Sequence, residues 1–524
     1  MATSVEDGVE LARGALVNTL AMVASNARGV FTFLVARLLG RATLGIFTIA
    51  WTATDLLSKI GVFGLDNSVT TFIARAEAAA DRDRSRSLFR VAVTLSVSLS
   101  VIVAASAAVL APAVGGRLGQ APEVIAALTI VLWAMPGLAL YKVGTAASRG
   151  MKVMRHDVYS RGLTETTGTT LVFLAALALG ARESAPEIAA IGGTLACGVV
   201  AVWLAASLFR GARRGRMDAE ATAVRPAPRQ EPDPGVARGL VAYAVPIAGY
   251  DLLNTLILSL DIVMLGCFIG RAPGVTLASV GVYSVAVDVA SGLRKVSQLF
   301  NPIFAPVVAA MAAGGEDARA AATYARLARW TLAVLLPLVA VITLGGGALL
   351  SIYGPGFRDG ATWLGIVALA CATNAFVSLG EVVIMVRRPR VNLFNSTVTC
   401  IVAVSANLWL IPRFGITGAA LGILLPYVLQ GMLRDVELRV LFGWPGCGRE
   451  LMRPIAAAAA AAVPALGCRF VVAGIPGQCA AAAVFLAVYT GGWWLMGLDP
   501  GDRAVVSHFT GRAPAAGVGA TNVA

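Results

Sequence analysis

Lys59 and Lys295 stand 236 residues apart, and the stretches around them match: LGIFTIAWTATDLLSKI at 44–60 against VGVYSVAVDVASGLRKV at 280–296. The match includes Gly45/Gly281, Ala50/Ala286 and Leu57/Leu293, with close swaps such as Phe47/Tyr283 and Thr48/Ser284. The chain has four lysines (Lys59, Lys142, Lys152 and Lys295), and two of them fill one repeat position inside long apolar stretches. A cation at the centre of a membrane helix costs roughly 2.5–3.5 kcal/mol, so it persists where it meets water or a partner. Matched cations in the halves of a duplicated membrane chain suit a transporter with a central pathway. The chemistry they offer is the recruitment of negative charge.

Four cations fall inside expected spans: Arg28, Lys59, Arg294 and Lys295. The acids there are Asp55, Asp251, Asp261, Asp288, Glu165 and Glu381. Asp55 and Lys59 are one helical turn apart, so they either neutralise each other or share a substrate. Asp288 shares a face with Lys295 but precedes it by seven residues, so its partner lies on another helix. Arg294 and Lys295 point about 100° apart on a helix. At most one faces a given line of the pathway, and Arg294 alternatively snorkels to the membrane surface. Glu165 reads as a structural partner of Arg161, and Glu381 lies near Arg387 and Arg388. Arg28 leads the substrate-binding candidates. It sits mid-span with no acid between Glu10 and Asp55, and Ser25 and Asn26 beside it are polar.

Other chemistries lack their residues. The sequence contains no GxxxxGK[ST] phosphate loop, no HExxH and no GxSxG, so neither ATP-driven transport by this chain alone nor hydrolysis is expected. Two histidines and seven scattered cysteines suggest no metal site, no disulfide framework and no cofactor. The net charge of +13 reads as loops facing anionic lipid headgroups, and no basic platform with interleaved aromatics points to nucleic acid.

The elements that position these residues are membrane helices. Hydrophobic residues are 57% of the chain, charged residues 14%, and the mean hydropathy is +0.78. Backbone groups cannot go unpaired in lipid, and apolar runs of about 20 residues decide for an all-α polytopic membrane protein. The runs predict fourteen spans at 15–37, 43–72, 87–113, 122–146, 158–180, 186–209, 238–268, 277–311, 325–350, 361–386, 391–412, 416–442, 452–473 and 478–497. Pro302 and Pro306 should kink the eighth. On this count thirty cations fall on one side and eight on the other, which places both termini in the cytoplasm. The amino terminus does not read as a cleavable signal.

A polar stretch at 210–235, rich in arginine and proline, separates the sixth and seventh spans. It divides an N-terminal six-helix lobe (1–209) from a C-terminal one (236–442), followed by two additional helices (443–497) and a tail (498–524). Even-numbered halves enter from the same side, so their pseudo-twofold axis should run along the membrane normal. Glycine pairs at Gly266/Gly270 and Gly418/Gly422 are small-xxx-small spacings that let helices approach.

Three segments carry a resemblance: ARLLGRATLGIFTIA (36–50), SLDIVMLGCFIG with VGVYSVA (259–270 and 280–286), and IPRFGITGAALG (411–422). They resemble the polysaccharide-flippase branch of the multidrug/oligosaccharidyl-lipid/polysaccharide exporter superfamily, over roughly residues 14–442. The resemblance implies two lobes facing across a central cavity lined by spans one, two, seven and eight, which carry Arg28, Lys59, Asp261 and Lys295. It further implies alternating access that moves an undecaprenyl-diphosphate-linked oligosaccharide across a bacterial cytoplasmic membrane. Substrate contact is then expected at Arg28, Asn26, Lys59, Arg294 and Lys295, and coupling or charge pairing at Asp55, Asp261 and Asp288. Membrane lipids are expected partners, with the polysaccharide polymerase and export machinery as candidates. Fourteen spans also suit the lipid II flippase branch, but the Arg-Asp pair of its first span is absent, since Gly29 follows Arg28. Two other readings stay open: a cation-coupled multidrug exporter, whose cavity should be acidic, and a non-transporting membrane scaffold.

Overall fold

The computed structural model describes residues 28–220, 234–297, 317–444 and 448–496, and every regular element among them is helical. The longer helices in chain order are α1 (Arg28–Leu39), α2 (Arg41–Val62), α3 (Leu65–Ala78), α4 (Arg82–Leu118), α5 (Pro122–Val131), α6 (Met135–Gly150), α7 (Thr166–Ala178) and α8 (Ala185–Glu220). From residue 234 onward come α9 (Pro234–Cys267), α10 (Leu277–Ser291), α11 (Asp317–Leu344), α12 (Ala361–Arg387), α13 (Pro389–Phe442), α14 (Gly448–Val471) and α15 (Gly474–Met496). A 3₁₀ turn joins α5 to α6, and a π-helical turn, Val158–Glu165, leads into α7.

Among the described residues nine helices are long and apolar enough to cross a membrane, or ten when α2 and α3, bent by 40°, count as one span. The expected fourteen spread differently over the chain. The stretches 15–37 and 277–311 each lie partly outside the described residues, with Pro302 and Pro306 outside them, and 158–180 is divided by the π-helical turn. The expected spans 391–412 and 416–442 run together as α13, whose 54 residues would reach about 81 Å if straight. That is more than twice the ~30 Å hydrocarbon thickness. Gly415 folds the element back, with φ 56° and ψ −130°, a conformation that costs glycine little. The two arms then press together at Gly418 and Gly422. A Cβ on Gly418 would stand 2.2 Å from the Leu410 carbonyl oxygen, and one on Gly422 2.4 Å from Asn407 Oδ1.

One contact sets the geometry between the lobes. A Cβ on Gly45 of α2 would stand 2.0 Å from the Leu277 carbonyl oxygen of α10. A Cβ on Gly281 of α10 would stand 1.9 Å from the Arg41 carbonyl oxygen of α2. Adding 236 to 41 and 45 gives 277 and 281, so each contact is the repeat image of the other. A reciprocal contact of this kind is what a twofold relation produces. Around it, Arg271 donates from Nη1 to the Leu118 carbonyl at 3.2 Å. Arg41 in turn donates to the Gly356 carbonyl at 3.5 Å and faces Asp359 at 3.8 Å. In each case an arginine beside α2 or α10 grips the other lobe. This is the sealed end of the molecule.

Lengthening the side chain at the seal has a defined cost. Gly281→Leu must displace α2 backbone and is expected to destabilise the protein by about 1–3 kcal/mol, the usual range for overpacking. Gly292→Ala, where nothing lies within 4 Å, should leave the Tm of the detergent-solubilised protein nearly unchanged. Equal Tm values for the two variants would contradict the seal.

Candidate functional site

Below the seal α2 and α10 diverge around a cavity of about 710 Å³, within the size range of small-molecule sites. A helix presents every third or fourth residue to one side, and α2 offers Thr48, Trp51, Thr52, Asp55 and Lys59. From α10 and the turn after it come Ser284, Val287, Asp288, Ser291 and Lys295, the same five positions plus 236. The repeat seen in the sequence is thus a repeat in what faces the cavity. The lysines lie fourteen residues beyond the glycine seal, about 21 Å along each helix. The expected wall from spans one, two, seven and eight is present, through Phe31, Thr32, Asn254, Thr255 and the two stripes. It is completed by α7, α8, α12 and the π-helical turn.

The cavity is polar but not simply cationic. Lys59, Arg161, Arg294 and Lys295 line it, and so do Asp55, Glu165, Asp288 and Glu381, with twelve serine and threonine residues. Among the described residues, the cavity-lining charges balance, four cations to four acids. Most of the acids have partners in the wall. Glu381 pairs with Arg434 at 2.9 Å and accepts from the Tyr250 hydroxyl at 2.8 Å. Glu165 sits 4.0 Å from Arg161, and Asp288 accepts from the Thr32 hydroxyl at 3.1 Å. Arg434 is 2% exposed and stands behind the wall, so it offsets Glu381 without occupying the cavity.

Several residues sit elsewhere than their sequence context suggests. Asp261, expected at the cavity, is buried in the C-terminal lobe, where it accepts from the Tyr283 hydroxyl at 2.7 Å. Leu258, Ser259 and Ile262 of α9 line the cavity, while the Asp261 carboxylate is drawn into the core by the Tyr283 hydroxyl. Asp251 also leaves the cavity, accepting from Asn67 at 3.3 Å. Arg28 is the first described residue of α1 and its side chain lies outside the described part, as does Asn26 altogether. Lys142 and Arg434 read as loop cations, yet both are inside helices; Lys142 donates to Ser58 at 3.1 Å.

Arg161 is the cavity residue that sequence reasoning missed. The sequence offers it only as the structural partner of Glu165, and the π-helical turn Val158–Glu165 aims both inward. Its guanidinium lies 5.9 Å from the Tyr141 ring centroid. Single π turns occur often at functional sites. The available signal was its Glu165 partner, four residues on and inside an expected span. Glu381 follows the same logic, since its partner is Arg434 rather than the nearby Arg387 or Arg388. Arg387 instead pairs with Asp317 and lies over the Phe442 and Trp444 rings. Among the described residues no cluster could hold a metal ion.

Comparison with known proteins agrees with this architecture. Residues 11–312 match the family model described as polysaccharide biosynthesis protein. No curated protein sequence matches the chain. The lipid II flippase MurJ in an inward closed conformation superposes with a TM-score of 0.65 at 10% identity, covering 95% of this chain and 100% of that one. An inward-facing multidrug resistance transporter of the MATE family, in the MOP superfamily, gives 0.60 at 15% identity, covering 81% and 94%. The Vibrio cholerae MATE transporter VcmN, in a mutant form, gives 0.53 at 13%, covering 82% and 98%. At such identities the likeness is one of fold.

Removing one partner of the buried ion pair should be costly. Glu381→Leu leaves the buried Arg434 without its anion and is expected to cost on the order of 3 kcal/mol. The Arg434→Leu/Glu381→Leu double variant should cost less than the sum of the singles. Additive losses in denaturant melts of the purified protein would show that the two do not interact.

Proposed function

Because the chain belongs to the polysaccharide biosynthesis protein family, we propose that it is a flippase for an undecaprenyl-diphosphate-linked oligosaccharide, working by alternating access. The observation that carries this reading is the pair of repeat-related stripes ending in Lys59 and Lys295 within one cavity closed by the seal. A diphosphate needs cations, and guanidinium groups hold it with paired hydrogen bonds. Lys59, Lys295, Arg294 and Arg161 supply them from the wall, with Arg28 and Asn26 as further proposed contacts from the first span. At an effective dielectric near 20, a cation about 6 Å from a phosphate charge is worth about 3 kcal/mol before desolvation. The hydroxyl-rich remainder of the wall suits sugars.

The charge bias of the loops supports a cytoplasmic location for both termini and a periplasmic location for the sealed end, in a bacterial inner membrane. Substrate then enters the cavity from the cytoplasmic leaflet, and parting of the α2–α10 seal releases it outward. The two lobes, 1–209 and 236–442, are the proposed moving bodies. A polymerase would consume the released unit.

One observation favours a second reading. Asp55, Glu165, Asp288 and Glu381 line the same cavity, as a cation-coupled multidrug exporter would need. Three of them already have polar partners in the wall, which weakens that case.

Export of surface polymer separates the two. Lys59→Glu/Lys295→Glu should abolish export of polymer while the protein remains in the membrane at normal abundance. Lys→Arg at either position should retain more activity than Lys→Met. Wild-type export by the double glutamate variant would end the diphosphate mechanism and favour the cation exporter.

A further inference from the structure

The repeat-related stripes are chemically unequal at one level of the cavity. Trp51 lies two turns from Lys59, about 12 Å toward the seal. It stacks on Phe47 with centroids 6.1 Å apart and planes 22° apart. Phe47 is braced edge-on by Phe31 at 5.5 Å, and Phe31 by Phe173 at 5.5 Å. The N-terminal lobe thus builds an aromatic ladder that carries an indole at the cavity wall. The repeat does not copy it. Trp51 is matched by Val287, and Phe47 by Tyr283, whose hydroxyl is committed to Asp261 in the core. The same wall carries Thr48 and Thr52 on α2, whose hydroxyls can donate and accept hydrogen bonds.

We propose that Trp51, held by Phe47, is the sugar-stacking platform of the cavity, and that the diphosphate rests in the belt of charge formed by Lys59, Arg161, Arg294 and Lys295. The assignment rests on the flippase reading above and adds which end of the substrate each part of the wall takes. A pyranose has apolar C–H faces and a rim of hydroxyls, so it fits an aromatic face flanked by side-chain hydroxyls. A rigid indole offers a large contact area while little conformational freedom is lost on binding. Connectivity then fixes the order. The lipid tail stays in the bilayer, the diphosphate follows, and the sugars reach farthest toward the seal. Charges lie at the level of Lys59 and Lys295, and the platform lies between them and Gly45/Gly281. Among the described cavity residues the aromatic side chains belong to the N-terminal lobe, so the sugar is held on that side and can leave with it as the seal parts.

The test compares two probes on the full-length protein in nanodiscs: undecaprenyl diphosphate, and the same lipid bearing a synthetic hexose tetrasaccharide. Wild-type protein is expected to bind the glycosylated lipid more tightly than the bare one. Trp51→Ala should raise the Kd for the glycosylated lipid about tenfold and leave that for the bare lipid within about twofold, a tenfold change being about 1.4 kcal/mol. Trp51→Phe should recover most of the loss, which separates loss of an aromatic face from a packing defect. Lys295→Met should weaken both probes by the same factor. An unchanged ratio of the two Kd values in Trp51→Ala overturns the platform. Failure of both probes to bind wild-type protein instead overturns the flippase reading itself, and the platform with it.

Discussion

The backbone contact between α2 and α10 is the constraint on which the rest of the arrangement depends. Glycine at 45 and 281 lets two helices from different lobes touch through their carbonyl groups, with no room for a side chain. Because the touching residues are repeat partners, the contact fixes the register of both helices at once. Every cavity position can then be read as a depth below the seal. The hydroxyls, the indole and the lysines follow in helical steps along α2, and their counterparts along α10. A shift by one residue would turn the lysines about 100° away from the cavity.

Charge inside such a wall must be balanced or put to use. Arg434 illustrates the first case, since it is buried with Glu381, Tyr250 and the Val377 carbonyl around it. Its neighbour Glu381 reaches the cavity, yet its charge is already answered from behind. Lys142, donating to Ser58 behind α2, is a second cation kept inside a helix. The cations that line the cavity, Lys59, Arg161, Arg294 and Lys295, share it with acids, Arg161 with Glu165 at 4.0 Å, so an entering anion competes with carboxylates already in the wall. The proposed diphosphate belt uses those cations.

Much of this was legible in the sequence where one period dominated. Apolar runs of about 20 residues located the helices, and the offset of 236 matched the cavity stripes residue by residue. The Gly418/Gly422 spacing marked where the arms of α13 meet. Legibility failed where the backbone departs from the regular helix or where the partner is remote. The π-helical turn carries Arg161 inward against the loop-like density of charge around it. Arg434 looked like a loop cation because its partner, Glu381, lies 53 residues away in sequence. Asp261 shares a span with cavity residues, but its carboxylate is committed to the Tyr283 hydroxyl in the core. Hydropathy weighs composition and is blind to phase.

The central claim is that this cavity carries a lipid-linked anionic sugar from one leaflet to the other. Its most direct measurement uses purified protein in proteoliposomes. A fluorescent undecaprenyl-diphosphate oligosaccharide is placed in one leaflet, and its appearance in the other is followed by a membrane-impermeant quencher. Uptake of an organic cation such as ethidium is followed in parallel. The account predicts that the lipid-linked sugar equilibrates between leaflets faster than in protein-free vesicles, while ethidium uptake stays at the protein-free rate. Accelerated ethidium movement, with the lipid-linked sugar still confined to its original leaflet, would contradict it.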